Sequence, residues 1–397
     1  MTIVFESQLY PQELISEFEA RSKVALDYAA HNLCKALYSG FTENGQNIKV
    51  VNVPNLGSFP LLYSSPLVKG AQLQDGKSIS FWNISLLKRW DIRRRIKATL
   101  YSILKSIPAN EEITLLLYNY RCLPLLSSLK DLYPDLKIVM VITDLTEYML
   151  LPKYSMFRVG NKLININDEK RATSFNYVDG VVLLAPAMRE RLPIEGKPWI
   201  QIEGIYNSDT VIERSRKEEK KTILYTGNLG LRYGIGVLLE AFHQIPGEDY
   251  QLWICGGGDG QREVQRYSSI DRRIKYKGVL PRKEVLALQA QATILVNPRN
   301  SSDDYTRYSF PSKTMEYLAS GTPVVMSHLK SIPPEYNQHI YYWENETVEG
   351  LRDILMEVCL KDKDELLSFG QLASEFILEE KTPRAQTKRI IDFINSL

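Results

Sequence analysis

Short runs of β-branched and other apolar residues alternate along this chain with longer stretches in which apolar residues recur every three or four positions. In the first half the short runs are "TIVF", "IKVVNV", "ITLLLYN", "KIVMVIT" and "GVVLLA". Residues 23–37 and 122–132 carry the helical period between them. The pattern thins over residues 186–207, which are rich in Pro and Gly, and then resumes with "TILYTG", "YQLWICGGG", "IKYKGV", "ATILVNP" and "TPVVMS". Strands and helices in this order predict an α/β protein with parallel sheets. The break near residue 200 predicts two domains, 1–200 and 201–380, each of ordinary size for one core. Residues 381–397 read as an amphipathic helix that packs back on the body. Two successive domains of this kind are expected to turn the carboxyl ends of their strands toward one cleft. Open α/β sheets bind ligands at such ends, on helix N-termini, so a nucleotide or phosphate ligand is the expectation.

Composition narrows the classes. The 397 residues are 44% apolar and 24% charged, with 49 basic against 47 acidic side chains. A net charge of +2 gives no general attraction to nucleic acid, and none is expected as a partner. Cys34, Cys122, Cys255 and Cys359 lie far apart without a CxxC pair, which argues against structural zinc or a disulfide framework and fits a reducing cytoplasm. The first residues do not read as a signal peptide, and no window holds 18 uninterrupted apolar residues. One local patch stands out. Over residues 86–107, Lys88, Arg89, Arg93, Arg94, Arg95, Lys97 and Lys105 face Asp91 alone, while Leu87, Trp90, Ile96, Leu100, Ile103 and Leu104 recur near helical spacing. Such a helix either lies on an anionic membrane, placing the protein at the inner face of the cell membrane, or packs on the first sheet with a solvated basic face. The charged run at residues 213–221 reads as a solvated lead-in to a strand.

Three glycine-bearing segments carry the candidate chemistry. "LYTGNLGLRYGIGVLLEAF" (residues 224–242) is a strand, a loop with Gly227, Gly230 and Gly234, and a helix. Glycines allow a ligand close to the backbone, and Arg232 near the helix mouth could meet a diphosphate; a plain turn with a solvated arginine is the other reading. The glycines do not fall as GxGxxG, and no acidic residue follows at the ribose position, so a dinucleotide site is not indicated. "WICGGGDGQREV" (residues 253–264) reads as a structural turn near the ligand. "TRYSFPSKTMEYLASGTPVVM" (residues 306–326) places Phe310, Pro311 and Ser312 at a helix start, since Pro favours that position. Lys313 there would help bind an anion, and Glu316, one turn on, could accept hydrogen bonds from a ribose diol. Alternatively the two form a surface pair at i, i+3. Asp303 and Asp304 read as a solvated loop rather than metal ligands.

In their order, "YTGNLGLRYGIGVLLEAF", "LWICGGGDGQREV", "YKGVLPRKEVLALQAQATILVNPR" and "YSFPSKTMEYLASGTPVV" resemble the donor-binding half of glycosyltransferase family 4. The resemblance is good over residues 202–388 and loose in the first half, through strand order and "FNYVDGVVLLAPAMRERL". It implies a GT-B fold of two Rossmann-like domains. It also implies sugar transfer from a nucleotide sugar with retention, no required metal or other cofactor, and a saccharide or lipid-linked saccharide acceptor of the capsule or exopolysaccharide type. Negative charge developing on the leaving diphosphate would be met by Arg232, Lys313 and N–H groups around Gly227 and Ser312. Glu316 would hold the ribose, and Val279 and Leu280, in "KGVLPR", the base. Asn228, Arg299, Tyr308, Ser309, Phe310 and Pro311 complete the implied donor set, with Arg307 a further candidate. On the acceptor side Asp144 follows a buried strand, either orienting the acceptor or capping the next helix, and Tyr118 and Asn119 lie at another strand end. Tyr308 stands where the family commonly has the first of two glutamates. Asn228 and Tyr233 replace its common Arg and Lys, leaving Arg232 displaced by one residue. A nucleotide-sugar epimerase and a non-catalytic partner subunit are the competing readings.

Overall fold

The computed structural model describes residues 1–145, 172–207 and 217–397. Residues 146–171, which follow Leu145, and 208–216, which include the start of the charged lead-in, lie outside the described residues. The chain divides into two compact units, Met1–Asn207 with Thr382–Leu397, and Ser208–Lys381.

The first unit is built on β1 (Thr2–Ser7), β2 (Asn47–Asn52), β3 (Leu67–Val68), β4 (Ala71–Leu73), β5 (Gly76–Ser78), β6 (Phe81–Trp82), β7 (Ile113–Tyr118), β8 (Lys137–Ile142), β9 (Gly180–Leu183) and β10 (Trp199–Gln201). Eight of them form one sheet in the order β10-β9-β8-β7-β1-β2-β5-β4, while β3 and β6 pair separately. All pairs of the large sheet are parallel except β4 with β5 at one edge. Every residue of β1 is buried, as a central strand covered on both faces requires. From β1 the chain works outward through β2 to one edge, then returns to β7 and works toward the other. The order therefore reverses between β1 and β7.

Helix α1 (Ile15–Arg21) is followed by α2 (Tyr28–Glu43), which starts later and runs further than the apolar period at 23–37 predicts. The reason is local: the Asp27 side chain accepts from the Ala30 N–H at 3.2 Å and so fixes the start. Helix α3 (Ser85–Ser106) turns Ile92, Ile96, Leu100 and Leu104 into the core at four-residue spacing. Leu87 and Trp90 stay exposed. The apolar positions read together from sequence thus belong to two different surfaces. Helix α4 (Leu126–Leu132) is shorter than its predicted span because a 3-10 turn, Leu123–Leu125, precedes it.

The second unit is a six-stranded, fully parallel sheet of β11 (Lys221–Thr226), β12 (Tyr250–Cys255), β13 (Ile274–Gly278), β14 (Ile294–Asn297), β15 (Val324–Met326) and β16 (Tyr341–Tyr342), in the order β13-β12-β11-β14-β15-β16. Its order reverses between β11 and β14. Helices α5 (Ile235–His243), α6 (Gln261–Ile270), α7 (Arg282–Gln291), α8 (Lys313–Ala319), α9 (Val348–Leu360) and α10 (Lys363–Glu380) cover it. The last helix, α11 (Pro383–Ser396), belongs to the first unit. It lies so close to α2 that a Cβ on Gly40 would run into the Pro383 carbonyl. Gln386 donates to the Gly204 carbonyl at 2.9 Å. Among the described residues no helix is long and apolar enough to cross a membrane.

Candidate functional site

Where the strand order of an open parallel sheet reverses, the two adjoining loops leave in opposite directions and open a crevice at the carboxyl ends. In the second unit that crevice lies over Thr226 and Asn297, the last residues of β11 and β14. The element that returns to it is α8, joined to β11 by two side chains one turn apart. The Tyr317 hydroxyl accepts from the Thr226 N–H at 2.8 Å and donates to its carbonyl at 3.2 Å. The Lys313 ammonium donates to the same carbonyl. It also stands 5.2 Å from the centre of the Tyr225 ring.

Lys313 explains Gly227. That glycine has φ +125°, and a Cβ there would fall on the Lys313 ammonium. Its absence seats a cation directly on the loop after β11. Burial, with the Arg299 guanidinium contributing and Glu316 opposing, pulls the Lys313 pKa down to about 8. Arg299, just beyond β14, lies 4.8 Å from the centre of the Tyr233 ring, and Arg232 lies at the same distance from that ring. Arg232 also donates to the Tyr233 hydroxyl at 2.6 Å, and its carbonyl accepts from the Tyr305 hydroxyl at 3.1 Å. The tyrosine standing where the resemblance expects a lysine thus gathers two arginines. Arg232 reads from the sequence either as a phosphate contact or as a solvated arginine of a plain turn. In the structure it is exposed and stacked on its neighbour, and Lys313 is the more buried of the two cations.

Glu316 and Lys313 do not form the surface pair that the i, i+3 spacing allows. Glu316 Oε1 accepts from Gln289 Nε2 of α7 at 2.9 Å. Its Oε2 faces Arg282 across 3.6 Å, and Arg282 is largely exposed. A solvent-exposed pair of that length is weak and easily exchanged for a ligand hydroxyl. Gln289 reaches the Thr226 hydroxyl as well, at 3.4 Å, so β11, α7 and α8 converge on one carboxylate. Gln289 and Tyr317 escape sequence reading because each looks like an ordinary helix residue.

The remaining donor-side residues divide by environment. Tyr308, Phe310 and Pro311 are buried, Phe310 with its ring centre 5.7 Å from that of Tyr336. Ser309 donates to the Tyr305 carbonyl at 3.2 Å, and Ser312 is exposed at the start of α8. The Gly227 N–H, expected to face a ligand, is taken by the Cys255 carbonyl at 2.8 Å. Asn228 closes its own turn, accepting the Gly230 N–H at 2.8 Å. The Gly256–Gly258 turn packs against this loop, with the Leu229 N–H on the Gly257 carbonyl at 2.9 Å. Val279 is exposed, and Leu280 lines a hollow of about 460 Å³ with Lys277, Glu284, Ala287 and Leu288. Asp304 pairs with Arg307 at 3.9 Å, and among the described residues no group of three or more His, Cys, Asp or Glu side chains is placed to hold a metal.

The first unit's reversal lies between β1 and β7, and there the structure adds a pair that the sequence reading missed. Glu6, fully buried on β1, accepts from Arg121 at 3.2 Å and from the Tyr118 N–H at 3.3 Å. Burial raises its pKa against the pull of the Arg121 charge. A carboxylate closing the apolar run "TIVFE" was the available signal. Tyr118 is itself buried, 3.5 Å from the Thr143 hydroxyl. Asn119 adopts φ +62°, which lets its Oδ1 accept the Thr143 N–H at 3.1 Å. Asp144 is open to solvent and accepts from the Thr143 hydroxyl at 3.1 Å. Crowding by protein still raises its pKa, with the Thr143 bond opposing and Asp27 adding. Tyr118 and Asn119 therefore build the floor of the crevice, and Asp144 is the acidic group at its surface.

Residues 220–358 match the family described as Glycosyl transferases group 1. No curated protein sequence matches the chain. Among solved structures the chain is similar to a sucrose-phosphate synthase from Thermosynechococcus elongatus at TM-score 0.62 and 14% identity, covering 100% of this chain and 98% of that one. It is similar to the lipopolysaccharide outer core galactosyltransferase WaaB at TM-score 0.61 and 14% identity, covering 100% and 99%. The catalytic domain of Starch Synthase IV from Arabidopsis thaliana, bound to ADP and acarbose, gives TM-score 0.61 at 10% identity over 100% and 98%. At these identities the likeness is one of fold, and the sequence match lies within the second unit. The second unit thus contains a region similar to group 1 glycosyltransferases, in a chain whose fold is GT-B, with two Rossmann-like units.

Proposed function

We propose that the protein transfers a sugar from a nucleoside diphosphate sugar to a hydroxyl of a saccharide acceptor, with retention at the anomeric carbon and without a metal. The observation that carries this reading is the Lys313 ammonium seated on Gly227 at the reversal point, with Arg299 beside it. A half-buried cation in the crevice where such sheets bind ligands calls for an anion, and Glu316, the carboxylate whose charge bears on it, spends its oxygens on Gln289 and Arg282 instead. As the glycosidic bond breaks, negative charge collects on the terminal phosphate. Fixed cations stabilise it without reorganising, as a preorganised site requires. Glu316 accepts hydrogen bonds from the ribose hydroxyls by exchanging its exposed contact with Arg282, and the hollow beside Leu280 receives the base. Asp144, whose raised pKa suits proton exchange with a hydroxyl, orients the acceptor. Lipid-linked saccharides at the inner face of a membrane are the acceptor class this reading favours.

The test is incubation of the chelator-treated protein with a panel of nucleotide sugars and saccharide acceptors. Nucleoside diphosphate release should match new glycoside one for one, with the donor's anomeric configuration kept in the product's NMR coupling constants. Sugar isomerisation without glycoside would point to an epimerase, and nucleotide binding without turnover to a partner subunit.

A further inference from the structure

The face formed by β3, β6 and the first turns of α3 is apolar, aromatic and basic at once, and nothing in the donor or acceptor chemistry uses it. Leu67 of β3 stands opposite Trp82 of β6 in the antiparallel pair. The Trp82 N–H donates to Asp91 of α3 at 2.9 Å, which fixes the small sheet against the helix. Trp82 is 47% exposed, Leu87 49% and Trp90 61%, with Leu67 and Ile84 also open. Leu87 and Trp90 are three residues apart and so share one helix face. Two tryptophans and three aliphatic side chains left in water within one small region are an unusual use of apolar residues, and such patches mark interaction surfaces.

The charge around this patch selects the occupant. Asp91, the sole acidic residue of α3, is 1% exposed and already paired with Arg95 at 2.9 Å and Arg94 at 3.3 Å. Arg94 also lies 5.3 Å from the Trp90 ring centre. Lys88 turns inward to the Leu56 carbonyl at 2.5 Å. Arg89 and Arg93 remain exposed, with no carboxylate partner among the described residues. Indole rings settle at the boundary between headgroups and acyl chains, and arginines beside them meet lipid phosphates. The buried row Ile92, Ile96, Leu100 and Leu104 anchors the rest of α3 in its own unit, so only the helix's first turns are free to dock.

We propose that this face docks the protein on an anionic lipid bilayer, with Trp82, Trp90 and Leu87 entering the interface and Arg89, Arg93 and Arg94 binding headgroups. The proposal is independent of the donor site, because lipid binding needs no nucleotide sugar. Its test is co-sedimentation of the full chain with phosphatidylcholine vesicles, with and without phosphatidylglycerol at roughly a third of the lipid. Retention is expected on the anionic vesicles and should fall as salt screens the charge. Arg89→Gln with Arg93→Gln should weaken it about 25-fold, or about fivefold for each charge removed near the surface.

Bromine-labelled lipid should quench wild-type fluorescence strongly, because of five tryptophans in the chain only Trp82 and Trp90 are exposed. Trp82→Ser with Trp90→Ser should abolish both quenching and retention while leaving the thermal melt unchanged. Equal retention on neutral and anionic vesicles, unquenched tryptophans, or unaltered binding by either double variant would overturn the proposal. So would concentration-dependent self-association that the tryptophan variant removes, since the occupant would then be a second copy.

Discussion

Replacing Lys313 by methionine removes an ammonium from the crevice while keeping most of the side-chain stem, and the structure sets opposite expectations for stability and binding. The pKa of Lys313 is drawn down from 10.5 to about 8, with burial the first cause. Carrying the charge there therefore costs on the order of 3–4 kcal/mol. The sign follows from the direction of the shift. Below about pH 8 both the folded and the unfolded chain carry this charge, and the penalty is fully present. As pH rises through about 8 the folded chain sheds the proton first, and the penalty fades until the unfolded lysine titrates too.

At neutral pH the methionine variant should therefore melt several degrees higher than wild type, at roughly 2–4 °C per kcal/mol for a body of this size. No carbonyl is orphaned, because Thr226 keeps the Tyr317 hydroxyl at 3.2 Å. Nucleoside diphosphate binding should move the other way. Wild-type affinity should weaken roughly tenfold between about pH 7 and about pH 9, as the free site loses its proton, and the variant should show neither the affinity nor the slope. Thermal melts across pH, with and without nucleoside diphosphate, read both effects. A variant that melts lower than wild type and binds nucleotide unchanged would make Lys313 a structural prop and refute the reasoning.

Glu316→Gln should weaken donor binding by about 10- to 150-fold, the loss of one charge-assisted hydrogen bond of roughly 1.5–3 kcal/mol, with turnover at saturation little changed; steady-state kinetics separates the two. Gly227→Ala should lower both the melting temperature and turnover, because the new methyl collides with Lys313 at a backbone angle foreign to alanine. Initial rates should survive exhaustive chelation, whereas loss with EDTA and recovery with magnesium or manganese would bring Asp303 and Asp304 back as ligands. Asp144→Asn should leave nucleotide titrations unchanged and lower the rate of transfer to acceptor; equal losses in both would place Asp144 on the donor side.

The longer strands of both large sheets were legible because a doubly covered parallel strand reads as a short, mostly apolar run, as in "TIVF" and "YQLWIC". The short strands β3 to β6, β10 and β16 were not, since two or three residues carry no period. The division of α3 was invisible for a different reason. Periodicity marks an apolar stripe but not which turns of it find a core, and Ile96 and Trp90 look alike on a helical projection though one is buried and the other open. Lys313 and Glu316 could be found because a charge inside an apolar helix is anomalous on its face. The seating of Lys313 on Gly227 joins residues 86 positions apart (313 − 227), and the capture of Arg299 by Tyr233 joins residues 66 apart (299 − 233); no local pattern encodes either.

Calorimetric titration of uridine, guanosine and adenosine diphosphates onto the full chain, in the presence of chelator, tests the donor crevice most directly. One of them should bind at a single site per chain, more tightly than its monophosphate, and Lys313→Met should weaken that binding far more than it weakens binding of the bare nucleoside. Failure of all three to bind, or identical affinities in wild type and the Lys313 variant, would contradict it.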